Sequence, residues 1–145
     1  VAKFNVLYTA GKLVARCYEG NKEIASQILT TAGKPVAIRL KADRQTIKSG
    51  KNDLAFIDVE IVDKSGNVVP NMDDVLVKYQ ISGNGSIAGV GTGNPRDMSS
   101  FQKPEKKVFQ GKGLVIVQPN GKVGKIMLKA KAEGLSESLL EINTK

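Results

Sequence analysis

The chain is 145 residues long and 41% hydrophobic, with a formal net charge of +8, no histidine, no tryptophan and a single cysteine. That length gives room for one ordinary domain, or one domain and a fragment of another, and the apolar content is too high for a disordered tail. Without imidazole the Ser-His-Asp and Cys-His catalytic arrangements and the usual zinc and iron sites are excluded, and a lone Cys17 forms neither an internal disulfide nor a multi-thiolate metal site.

Period-two alternation dominates from the start, and no segment sustains a 3.6-residue repeat over three turns. Phe4, Val6 and Tyr8 alternate with polar neighbours, and Ala10-Gly11 then turns the chain. Leu13, Ala15 and Cys17 share the next face, and a turn from Glu19 to Lys22 leads to Ile24, Ser26 and Ile28. This predicts a three-strand meander, ended by the boundary signal TAGKP from Thr31 to Pro35. Such a meander is marginal alone and must lean on something. The chain opens on valine with no signal segment, so it is expected to start inside a longer protein.

A second set of strands begins at Val36, where Val36, Ile38 and Leu40 alternate. A polar stretch from Asp43-Arg44 to Ser49, Gly50, Lys51 and Asn52 follows, and then Ala55, Ile57, Val59 and Ile61 share a face opposite Asp58 and Glu60. Asp63 to Asn67 is a turn by composition, because Asp and Asn bond their own backbone and Gly66 takes a positive φ. Val75, Val77, Tyr79 and Ile81 form the next inward set. After a Gly-rich segment come Leu114 to Val117, a Pro119-Asn120-Gly121 turn, and Ile126, Leu128, Ala130 and Ala132. Glu133-Gly134 turns the chain into a last strand with Leu140 and Ile142. Turn signals every 8 to 12 residues or so, with clean apolar-in, polar-out alternation, predict an antiparallel sandwich rather than a parallel sheet with crossover helices. The expected fold is all-β: an immunoglobulin-like antiparallel β-sandwich over residues 36 to 145, preceded by a partial three-strand β domain over residues 1 to 35.

Each candidate for chemistry has a plainer reading. The glycines from Gly83 to Gly93 fit neither the dinucleotide fingerprint nor the P-loop, and strand ends and turns account for them. Asp58 and Glu60 share a strand face and could be near enough for a glycosidase pair, yet read as surface residues of a half-buried strand. Asp73-Asp74 lacks the wider loop pattern of a calcium site and reads as a solvated turn. Asn84-Gly85-Ser86 is a glycosylation sequon, a triplet common by chance. Phe101 and Phe109 read as plugs pinning a long loop over the core rather than as a sugar platform. Arg96 and Asp97, near the apex of that loop, are the first positions to examine for contact with a neighbouring domain. The densest basic group, Lys103 to Lys107, carries its own acid, so the positive charge reads as solvated surface, and no nucleic-acid partner is expected. No apolar run approaches the roughly 18 to 20 residues of a membrane span, so no membrane partner is expected.

Several stretches in order carry a resemblance. They are DLAFIDVEIVD from Asp53 to Asp63, GNVVP from Gly66 to Pro70, GVGTGNP from Gly89 to Pro95, Ser100-Phe101, FQGKGL from Phe109 to Leu114 and AEGL from Ala132 to Leu135. Together they resemble the C-terminal immunoglobulin-like domain of bacterial family-two glycoside hydrolases, chiefly β-galactosidases. LYTAGKLVA from Leu7 to Ala15 and TAGKP from Thr31 to Pro35 resemble the closing half of the small β domain before it.

The resemblance implies a non-catalytic accessory region, because the two catalytic glutamates of such enzymes lie on a separate barrel upstream. No catalytic, cofactor-binding or metal-binding residue is expected here, and no cofactor. The implied partners are the catalytic barrel and other domains of the parent chain. A periplasmic or secreted location is implied by the resemblance only. The alternatives are a bacterial surface adhesin-type immunoglobulin-like repeat and a carbohydrate-binding module. Phe4, Val6, Tyr8, Leu13, Ile24 and Ile28 are expected to face a core, with the strands that would cover them expected to be missing. Residues 1 to 34 are therefore expected either to fold back on the sandwich or to pair with a second copy in a homodimer.

Overall fold

In a computed structural model of the chain, residues 2–50 and 52–145 are described; the opening valine and Lys51 of the polar stretch lie outside them. Every regular element among the described residues is a strand. The chain divides into two compact units, Val1–Ala32 and Gly33–Lys145.

The first unit is a hairpin of β1 (Lys12–Glu19) and β2 (Lys22–Thr30). Glu19 pairs with Lys22 across Gly20-Asn21, and Gly20 has φ +59°. Glycine first in a two-residue connection fits the primed turns whose twist matches a hairpin. Residues 4 to 8, expected as a third strand, carry no strand. Alternation licenses a strand, but only a paired neighbour makes one, because unpaired amides and carbonyls gain nothing from an extended backbone. Phe4 is 79% exposed and Leu7 92%, and Tyr8, Leu13, Ile24 and Ile28 are exposed too.

The second unit is a two-sheet sandwich. It comprises β3 (Pro35–Ala42), β4 (Thr46–Ile47), β5 (Ala55–Asp63), β6 (Leu76–Gly83), β7 (Gly85–Gly91), β8 (Glu105–Lys107), β9 (Lys112–Pro119), β10 (Gly124–Lys131) and β11 (Ser138–Thr144). One sheet has the order β4-β11-β10-β6-β8 and the other β3-β5-β9-β7. Among the described strands, all pairings are antiparallel except β4 with β11, where Thr46 lies beside Asn143, and one further parallel bridge joins Ala37 to Ser136 outside the strand pairs. That exception arises because the polar stretch after β3 carries the chain across to the opposite sheet.

The inward sets lock the sheets together. Ile57, Val59 and Ile61 of β5 and Val115 and Val117 of β9 are fully buried, as are Val77 of β6 and Ile126, Leu128 and Ala130 of β10. Burying each large aliphatic side chain contributes roughly 1.5 to 3 kcal/mol. At the β5 exit, the Asp63 carboxylate accepts from the amides of Ser65 (2.9 Å) and Asn67 (2.9 Å), from Asn67 Nδ2 (3.1 Å) and from the Gly33 amide (2.7 Å). Gly66 has φ +80°, as the composition of this turn demands. The Gly33 bond leads in holding the Asp63 carboxyl down at about 2.

Candidate functional site

On the outer face of the four-stranded sheet, the register aligns Asp58 of β5 with Leu114 of β9, and Leu114 with Gly91 of β7. Gly91 contributes no side chain to this row, so the surface dips there. Beside the row lies an open groove of about 820 Å³, walled by Val68 and Pro70 on one side and by Phe109, Gln110 and Lys112 on another. Its charged lining residues are Asp58 and Lys112.

The Phe109–Lys112 wall is a tight turn. The Phe109 amide donates to the Lys112 carbonyl (2.8 Å) and the Lys112 amide to the Phe109 carbonyl (3.0 Å). Its two central residues both have positive φ, Gln110 at +51° and Gly111 at +71°. That is the type I′ pattern, which normally takes Asn-Gly or Gly-Gly. Gly111 is obligatory, since a Cβ there would collide with the Val69 carbonyl oxygen. Gln110 holds a conformation costing a side-chain-bearing residue about 1 kcal/mol. The surroundings enforce it: the Gln110 amide donates to Asp73 Oδ1 (2.7 Å), the Gly111 amide to the Met72 carbonyl (2.8 Å), and the Ile61 amide to the Gly111 carbonyl (2.8 Å).

Next to this turn, the loop between β7 and β8 closes over Lys106. The Lys106 side chain is buried, and Nζ reaches Asp97 Oδ2 (3.0 Å), Ser99 Oγ (2.8 Å) and the Ser99 carbonyl (2.8 Å). The Phe101 ring centroid lies 4.3 Å from the same nitrogen, a cation–π contact. Ser99 first, through its hydroxyl and amide, and then Lys106 hold the Asp97 carboxyl down at about 2. The Val90 amide donates to the Phe101 carbonyl (2.8 Å), so the loop also covers the free edge of β7.

Residues 38–141 match the model of the glycoside hydrolase family 2 C-terminal domain 5. The chain belongs to this family. It is 44% identical over 132 residues to the β-galactosidase BoGH2A of Bacteroides ovatus, covering 91% of this chain and 15% of that protein. A solved glycosyl hydrolase family 2 member from Bacteroides cellulosilyticus matches with a TM-score of 0.91 at 35% identity, over 97% of this chain and 18% of that one. This family 2 domain thus spans about a sixth of the relatives it matches. A C-terminal fragment of intimin shares the fold alone, with a TM-score of 0.52 at 14% identity over 75% of this chain.

Within the family 2 domain, the expected residues are distributed as follows. Asp58 lies exposed in the groove, whereas Glu60 is held by Arg39 at 2.7 Å. Asp73 anchors the Gln110 amide and so helps build this corner, whereas Asp74 is a solvated acid that meets exposed Lys107 at 3.0 Å. The Asn84 side chain donates to the Val123 carbonyl (2.9 Å). The glycine run is largely strand β7 rather than a loop, and a positive φ there is confined to Gly83. Asp97 does not point outward with Arg96 but turns in to Lys106, leaving Arg96 and Met98 (94% exposed) at the apex. Phe101 is 57% exposed and covers Lys106, not the core; Phe109 is half-buried and walls the groove. Lys106 is the residue that the reading of Lys103 to Lys107 as solvated missed. A signal existed: Lys106 is two residues from Val108, and both fall on the inward phase of the alternation.

Proposed function

We propose that this chain is the non-catalytic C-terminal region of a β-galactosidase-type family 2 glycoside hydrolase, whose barrel hydrolyses O-glycosidic bonds elsewhere in the parent chain. The observation that carries this reading is the family match across 38–141, together with relatives about six times as long, of which the chain covers 15%. Residues 1 to 35 are the closing part of a small β domain, and residues 36 to 145 pack against the barrel and neighbouring domains. The arrangement of acids supports a structural role. Glycoside hydrolysis needs two carboxyl groups about 5 to 10 Å apart across a cleft. Among the described residues lining the groove, Asp58 is the one carboxylate, while Asp63, Asp97, Glu60 and Asp73 are spent on turns, loops and ion pairs.

Deleting the region that corresponds to this chain from the full-length enzyme tests the role. The expected result is a lower thermal midpoint or a changed subunit number, with kcat of the molecules that remain folded within about tenfold of the intact enzyme. An intact midpoint and assembly, with chemistry lost, would refute it.

A further inference from the structure

At two positions of the groove the backbone does not dictate the residue that is present. Gln110 keeps a positive φ where glycine would cost less, and its side chain lines the groove. Strained backbone that the surroundings over-determine is characteristic of binding sites. Gly91, on the groove floor, is in ordinary extended strand, and a Cβ there would meet only Leu114 Cβ, at an easy 3.8 Å. Neither backbone angle nor crowding requires that glycine. What a side chain at 91 would do is fill the groove.

We propose that this groove binds a short neutral oligosaccharide, with Phe109 against a pyranose face and Asp58, Gln110 and Lys112 reaching its hydroxyls. The volume of about 820 Å³ is within the 300 to 1,000 Å³ or so of small-ligand sites. Asp58 and Lys112 cancel, so the lining has no net charge to select a phosphate or a cation. What remains is one half-buried ring beside separate donors and acceptors, which suits a ligand with an apolar C–H face and a rim of hydroxyls. The floor is a sheet whose strands are already paired, β5 with β9 and β9 with β7, so recognition falls to side chains rather than to strand addition. The bonds on either side of Gln110 fix its wall in advance, which lowers the ordering cost of binding.

The test is amide NMR on the whole isotope-labelled chain titrated with lactose and, separately, cellobiose; only the choice of lactose rests on the β-galactosidase reading. Saturable shifts confined to residues 91–93 and 109–114, with Kd of about 1 mM, are expected. Gln110→Gly relieves the strained φ, so it keeps the fold while weakening binding at least about fivefold. Gly91→Val fills the floor and abolishes binding with the remaining spectrum unchanged. Saturable binding of cellobiose but not lactose supports the groove and counts against the galactoside reading, so the two fail separately. No saturable shift with either sugar, or equal binding by Gly91→Val, overturns the proposal. So does protection of the groove amides from exchange in the full-length enzyme without any saccharide shift, which would assign the groove to a neighbouring protein domain.

Discussion

At Asp63, four donors converge on one carboxylate and tie the end of β5 to Gly33 and to its own turn. Its carboxyl is held at about 2 against an ordinary 3.8, with the Gly33 amide the largest cause. A depressed folded value means that the stabilisation is complete above the unfolded value and is lost as pH falls through 3.8 toward 2. Urea midpoints of Asp63→Ala are therefore expected well below wild type at neutral pH, with the gap closing over that acid window; a gap independent of pH would show that the charge is not what matters. Tyr79 presents the opposite case. Its hydroxyl is buried without a hydrogen-bond partner, and burial pushes its pKa up. Removing an orphaned hydroxyl removes a desolvation cost, so Tyr79→Phe is expected to raise unfolding stability by about 1 kcal/mol in urea titrations. A loss of similar size would mean that the hydroxyl has a partner in solution.

Among the elements, the loop before β8 depends on one cation. Asp97, Ser99 and Phe101 all converge on Lys106, so Lys106→Met keeps an unbranched stem in the buried slot and removes the charged nitrogen that they bind. Limited proteolysis between Asn94 and Ser100 is expected to speed up about tenfold, while amides of β5 and β10 keep their protection. Unchanged cleavage would place the loop's order elsewhere. The elements legible in the sequence are those where side chains alternate cleanly: β5 through Ala55 to Ile61, β6 through Val77 and Tyr79, and β10 through Ile126 to Ala130. β7 was hidden because Gly85, Gly89 and Gly91 erase its pattern and the register slips between Ile87 and Gly89. β4 has two residues and β8 reads Glu-Lys-Lys, so neither offers a period to detect. The groove was invisible for a related reason: Gly91, Gln110 and Asp58 come together only through register and a pinned turn.

For the whole molecule, the exposed apolar side chains of the first unit remain the open demand, and they lie on both faces of its hairpin, Leu13 opposite Leu29 on one and Val14 opposite Ile28 on the other. Phe4, Tyr8, Leu13, Ile24 and Ile28 are exposed, and side chains of this size forfeit roughly 1.5 to 3 kcal/mol each when left wet. In the parent chain, strands of the small β domain are proposed to cover them; in the separate chain, a second copy is proposed to do so through residues 1 to 34. Light scattering at micromolar concentration is expected to give a dimer that Ile24→Lys converts to monomer, and a monomeric wild type would set that covering aside. This family 2 domain is proposed to support chemistry carried out elsewhere in the parent chain. The most direct measurement of that role is hydrolysis of p-nitrophenyl β-galactoside by the purified 145-residue chain beside the full-length enzyme. Turnover by the full-length enzyme and none above the uncatalysed rate by the chain are expected; saturable turnover by the chain that disappears in Asp58→Asn would contradict a supporting role.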